Sequence, residues 1–90
     1  MINYTEEAVR RIMPGVLNEY AKSNPGTCTC SICQDDILAL TLNELPPHYA
    51  ASLAGEIFTE VGLEQIGGKA QIVSVIINTI KRVSDKPRHK

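Results

Sequence analysis

The stretch from Cys28 to Tyr49 reads CTCSICQDDILALTLNELPPHY. Three cysteines, at Cys28, Cys30 and Cys33, run into an amphipathic segment, which Leu45-Pro46-Pro47-His48-Tyr49 then closes. The segment from about Ser31 to Glu44 predicts a helix. On a helical wheel Cys33, Ile37 and Leu40 form one apolar stripe, and Leu38, Leu42 and Leu45 form a second beside it. A helix apolar over more than half its circumference has to be covered on two sides. Pro46-Pro47 ends it, because a residue preceding proline is driven out of the α region.

Upstream, a first helix is expected from Asn3 to about Lys22. Val9, Ile12, Met13, Val16, Leu17 and Tyr20 follow the i, i+3, i+4, i+7 pattern of one buried stripe. Thr5 followed by Glu6 and Glu7 offers a capping hydroxyl and then acid in the first turn. Pro14-Gly15 interrupts the pattern. Proline removes the hydrogen bond to the Arg10 carbonyl, which predicts a kinked helix and not two separate ones. Ser23-Asn24-Pro25-Gly26 is a turn, since proline sets φ and glycine allows a positive one.

Downstream of the proline corner the pattern is weaker. Ala50 to Gly55 suits a turn of helix, Gly55 to Val61 is β-branched and reads as extended, and Gly62 to Gly68 suits one helical turn. The last helix is expected from Lys69 to about Ser84. Ile72, Val73, Ile76, Ile77, Ile80 and Val83 make its stripe, with Gln71, Ser74, Asn78, Lys81 and Arg82 opposite. Residues 85–90 form a polar, basic tail. The expected architecture is all-α: one small four-helix domain over residues 1–90. Its first helix is kinked, and a cysteine-rich loop and an extended or irregular segment precede the second and last helices.

Ninety residues lie near the lower limit at which one core suffices, so a metal, a ligand or a second subunit is expected to help. A net charge of −1 disfavours a general polyanion binder, although Lys81, Arg82, Lys86, Arg88 and Lys90 crowd the last ten residues. No nucleic-acid partner is expected. Met1 to Arg10 carries Glu6 and Glu7 and lacks an apolar leader core, and no run approaches the ~20 apolar residues of a membrane span. A cytoplasmic protein without a membrane partner is expected.

In Cys28-x-Cys30-x-x-Cys33 two thiols come from a tight loop and one from the first turn of a helix. All three can face one ion. Thiolates select Zn²⁺ or an iron–sulfur cluster over hard cations, and a helix N-terminus favours the thiolate form. Tetrahedral closure needs a fourth donor, and the histidines are His48, inside the corner, and His89, in the tail. The rival readings are a Cys30/Cys33 redox pair, which no βαβ pattern surrounds, and inert buried thiols. Three cysteines disfavour a disulfide framework. No Ser/His/Asp set or facing carboxylate pair is present, and adjacent Asp35 and Asp36 point apart on a helix. An enzyme is not expected.

The run Cys28, Cys30, Cys33, Gln34, Asp36, Leu38, Ala39, Leu40, Leu42 and Asn43, followed by Pro46, Pro47 and Tyr49, resembles the late competence development (ComFB-like) family. The helix pattern and length extend the resemblance to nearly the whole chain. It implies a small all-helical domain in a symmetric homodimer. It also implies a zinc ion held by four cysteines, the fourth near the C-terminus, where this chain has His89. Members with a similar corner act as receptors for cyclic dinucleotides, cyclic di-GMP or cyclic di-AMP, which implies a ligand site within Leu42 to Ser52. There Pro46 and Pro47 would present Tyr49 for stacking on a base, Asn43 for a base edge and Ser52 for a phosphate or hydroxyl. Arg10, Lys69 and Arg82 are the candidate cations for the phosphates. Two functions of different class follow: a cyclic-dinucleotide receptor linked to competence, motility or pilus regulation, and a zinc-stabilised protein–protein adaptor with an unnamed protein partner and no small ligand.

Overall fold

Helix α1 runs from Tyr4 to Ser23 without a break in its helical run, although Pro14 lies inside it. The computed structural model describes residues 1–51 and 67–86 of the chain. A proline inside a helix forfeits one hydrogen bond and costs ~3 kcal/mol, so tertiary contacts have to hold α1 together. They lie on one face: Thr5, Ala8, Val9, Met13 and Leu17 are buried, while Pro14 and Gly15 face outward. Ile12, Val16 and Tyr20, expected in the same stripe, pack half-buried along its edges.

The start of α1 differs from expectation in one detail. Asn3 is the capping residue, its Oδ1 accepting from the Thr5 N–H at 3.1 Å. The Thr5 hydroxyl turns inward and donates to the Pro46 carbonyl at 2.8 Å. Threonine at this position serves a distant loop, and the asparagine two residues earlier does the capping. The turn after α1 is as expected. Gly26 takes φ 97° and Thr27 N–H donates to the Asn24 carbonyl at 3.2 Å, the arrangement of a type II turn with Pro25 second and glycine third.

Helix α2 spans Ser31–Glu44 and buries Cys33, Ile37 and Thr41, with Leu45 buried just beyond its end. The buried row therefore repeats every four residues and passes through a threonine. Leu38, Leu40 and Leu42 are half-buried against the core. Helix α3 spans Lys69–Asp85, starts from Gly68 at φ 85°, and buries Ile72, Ile76, Thr79, Ile80 and Val83. Each fully buried isoleucine contributes ~1.5–3 kcal/mol relative to an exposed one.

The Thr41 and Thr79 hydroxyls meet at 2.8 Å in the core, and Arg82 pairs with Glu44 three residues further along both helices. Helices α2 and α3 therefore run parallel. Helix α1 runs against both: its first turn meets Pro46, while its second half adjoins Thr29 and Gln34 on one side and Val73 and Ile77 on the other. The cysteines thus share one end of the bundle with the close of α1 and the start of α3. The proline corner shares the other end with the start of α1 and the close of α3.

A two-residue antiparallel ladder supplements the helices. Strand β1 (Ile2–Asn3) pairs with β2 (Tyr49–Ala50), Asn3 opposite Tyr49 and Ile2 opposite Ala50. The architecture is helical as expected, with three helices among the described residues. The helical turns expected at 50–55 and 62–68 and the extended segment at 55–61 lie wholly or largely outside those residues, as does the tail beyond Lys86.

Candidate functional site

Two features stand at opposite ends of α2. At its start, the turn through Gly26 returns the chain towards α1 and delivers Cys28 and Cys30 beside Cys33. The three Sγ atoms all lie within 4.8 Å of one another. A tetrahedral zinc with Zn–S bonds of ~2.3 Å sets its sulfurs ~3.8 Å apart, so a small contraction of the loop brings these three onto one ion. The thiols fit a metal in chemistry and in spacing, and the three cysteines could hold one.

Local hydrogen bonds position them. Cys30 is the N-cap of α2, its Sγ accepting from the Cys33 N–H at 3.4 Å, and its carbonyl receives the Gln34 N–H at 2.9 Å. The Gln34 side chain reaches back to the Thr29 carbonyl at 2.6 Å and ties the loop to the helix. The Cys33 N–H, followed by the Cys28 side chain, holds the Cys30 thiol below its ordinary value of 9.0. Cys33 is buried, and desolvation ahead of its two sulfur neighbours pushes its thiol up to about 12. Cys30 thus gives up its proton more readily than an ordinary thiol, and Cys33 less readily. None of the three cysteines forms a disulfide.

At the other end the proline corner is fastened to α1 at three points. Thr5 holds the Pro46 carbonyl, Asn3 Oδ1 accepts from the His48 N–H at 3.0 Å, and the Tyr4 N–H donates to the His48 carbonyl at 2.7 Å. The His48 ring stacks on Tyr4 with centroids 5.8 Å apart and planes inclined by 18°. Tyr49 next to it is 63% exposed, so it takes no part in the core. The anchors Asn3, Tyr4 and Thr5 were not singled out from the sequence as corner contacts. An asparagine ahead of an acidic first turn is a capping signal, but no local pattern pairs residues 3–5 with residues 46–48.

The other candidates are spread over the surface. Asn43 and Arg82 meet in a recess of about 270 Å³ with Asp36, Ala39, Leu40, Val83 and Lys86, and Arg82 also pairs with Glu44. Pro46 and Pro47 are exposed at the corner. Arg10 is exposed and bonded to Glu6 one turn back at 2.9 Å. Lys69 opens α3, thirteen residues before Arg82 and hence ~20 Å from it along the axis, so within one chain they do not face the same phosphate. Ser52 and His89 lie outside the described residues. No described helix is long and apolar enough to cross a membrane.

Comparisons with known proteins bear on the family and the fold. The family model of the late competence development protein ComFB matches residues 2–87. The chain belongs to that family. The competence protein ComFB of Bacillus subtilis (strain 168) is 28% identical over 76 residues, which make up 84% of this chain and 78% of that protein. A solved structure of the late competence protein ComFB from Bacillus subtilis matches with a TM-score of 0.70 at 26% identity, covering 99% of this chain and 98% of that one.

Proposed function

We propose that the protein is a cytoplasmic receptor of the competence family that binds a cyclic dinucleotide at its proline corner. A zinc ion on Cys28, Cys30 and Cys33 secures the opposite end of the bundle. The observation that carries this reading is Tyr49: it is largely exposed and directly follows a corner whose Pro46 and His48 backbone groups make three hydrogen bonds to Asn3, Tyr4 and Thr5. An exposed aromatic ring on a fastened backbone is a base-stacking platform, because less backbone freedom is lost when a base settles on it. The recess that joins Asn43 to Arg82 and Lys86 lies at the same end of the bundle and supplies a base-edge partner and cations. Its two halves of the ligand suit a two-fold dimer, in which a second copy brings further cations to the phosphates. The role is binding and not catalysis.

Thermal unfolding with and without cyclic di-GMP or cyclic di-AMP tests this. Base stacking on an aromatic ring is worth ~1–3 kcal/mol, so Tyr49→Ala should weaken binding by roughly five- to hundred-fold. Its own melting temperature without ligand should stay close to wild type. Wild-type protein whose unfolding ignores both dinucleotides at saturation refutes the receptor. The adaptor reading draws on Ile32, 51% exposed beside the cysteines, and predicts a protein partner at that end.

A further inference from the structure

The start of α2 sets two sulfurs at fixed stations. Cys30 is the N-cap and Cys33 the third residue of the first turn, with Cys30 Sγ accepting from the Cys33 N–H at 3.4 Å. Residues so spaced on a helix have Cα atoms ~5–6 Å apart. That falls within the ~4.4–6.8 Å that a disulfide spans. The two sulfurs already lie within 4.8 Å of each other, and both cysteines are reduced. Rotation of the side chains therefore suffices to join them, and the helix backbone need not move. Cys28 precedes the helix on an irregular stretch and lacks this fixed register.

Burial gives the pair an order. Cys30 is half-buried and Cys33 is buried behind it, so an oxidant arriving from solvent meets Cys30 first. The N–H groups of the first turn favour negative charge on the Cys30 sulfur, the nucleophilic form of a thiol. An accessible thiol with a second one poised beside it is the arrangement that stops oxidation at a reversible stage.

We propose that the cysteine loop is a peroxide-responsive thiol switch, in which Cys30 is oxidised first and Cys33 resolves it as an intramolecular disulfide. Peroxide transfers one oxygen to the Cys30 sulfur, giving a sulfenic acid and one water. The Cys33 sulfur then displaces the hydroxyl of that acid, which leaves with the Cys33 proton as a second water. Two thiols and one peroxide thus become one disulfide and two waters. One thiol of the three remains, so only the reduced loop keeps the set of soft donors that a thiophilic metal needs. The switch operates on metal-free protein and does not depend on what the reduced thiols bind. Full-length protein, reduced and stripped of metal by a chelator, is treated with hydrogen peroxide and then alkylated. Peptide mapping should find Cys30 joined to Cys33 and Cys28 alkylated, with two of the three thiols lost and dithiothreitol restoring both. Cys28→Ser should close the same bond. The double variant Cys28→Ser/Cys33→Ser leaves Cys30 without a resolving thiol, and dimedone should trap its sulfenic acid. A wild-type map that joins Cys28 to either partner, or crosslinks found only between chains, overturns the switch. So do thiols that survive a peroxide dose sufficient to oxidise the unfolded chain, or a double variant that dimedone leaves unlabelled. Each of these results leaves the zinc content of the reduced protein as a separate measurement.

Discussion

The Thr41–Thr79 contact makes a prediction whose sign depends on which hydroxyl donates. Thr79 Oγ1 donates to the Ile76 carbonyl at 2.9 Å, which uses its single proton. Thr41 must therefore be the donor in the 2.8 Å contact between them, with Thr79 accepting. Both side chains are fully buried. Thr79→Val strands the Thr41 proton in the core, and an unsatisfied buried donor costs ~1–3 kcal/mol. Thr41→Val removes a donor but leaves Thr79 bonded to Ile76, and the loss should be nearer the ~0.5–1.5 kcal/mol of one ordinary hydrogen bond. Replacing both leaves no orphan and conserves shape, so the double variant should be more stable than Thr79→Val alone. The coupling should fall in the ~0.5–3 kcal/mol range of contacting pairs. Urea unfolding of the four proteins at one fixed concentration measures it, with concentration held because any self-association adds to apparent stability. Equal costs for the two single variants, or a double variant at their sum, would refute the assigned proton directions.

Further outcomes follow from other positions. Gly15 sits mid-helix with nothing within 4 Å of an added Cβ, so Gly15→Ala should stabilise by ~0.5–1 kcal/mol and raise the melting temperature by ~2–8 °C. Asn3→Ala removes the α1 cap and the acceptor for His48 N–H, and should cost ~1–2 kcal/mol with faster amide exchange at Thr5 and His48 together. Reduced protein should carry one zinc per chain by elemental analysis, and Cys30→Ser should lose it and melt lower. Without metal, the raised Cys33 value gives a pH signature. Below 9.0 the thiol is protonated in both states. Between 9.0 and about 12 the unfolded chain ionises while the folded one does not, so stability should fall as pH rises through that window, and bound zinc should abolish the fall.

Periodicity located the three helices because their apolar rows are regular: Val9, Met13 and Leu17 in α1, and Ile72, Ile76, Ile80 and Val83 in α3, are the buried rows. The inward face of α2 was less legible. Leucine is the commoner core residue, so Leu40 and Leu42 drew the stripe away from Thr41, whose burial depends on a partner 38 positions later. Thr79 was missed for the same reason. The cysteine loop could be read locally, since its spacing and the helix start lie within six residues. The anchoring of the corner could not: Asn3, Tyr4 and Thr5 owe their role to contacts across more than 40 residues, and no local pattern encodes them. The parallel run of α2 and α3 rests on the Thr41–Thr79 and Glu44–Arg82 contacts, which likewise join positions 38 residues apart.

The amide oxygen of Asn3 accepts two hydrogen bonds at once, from the first turn of α1 and from the proline corner. One atom near the beginning of the chain is thus a shared hinge pin for two surfaces that are remote in sequence. Anything that draws residues 1–3 away, whether trimming by a peptidase or a bulky group placed ahead of Met1, should be felt at Tyr49 before it is felt in the isoleucine core. The corner and the first turn of α1 are therefore coupled through a single acceptor, and a change that costs one its hydrogen bond costs the other as well.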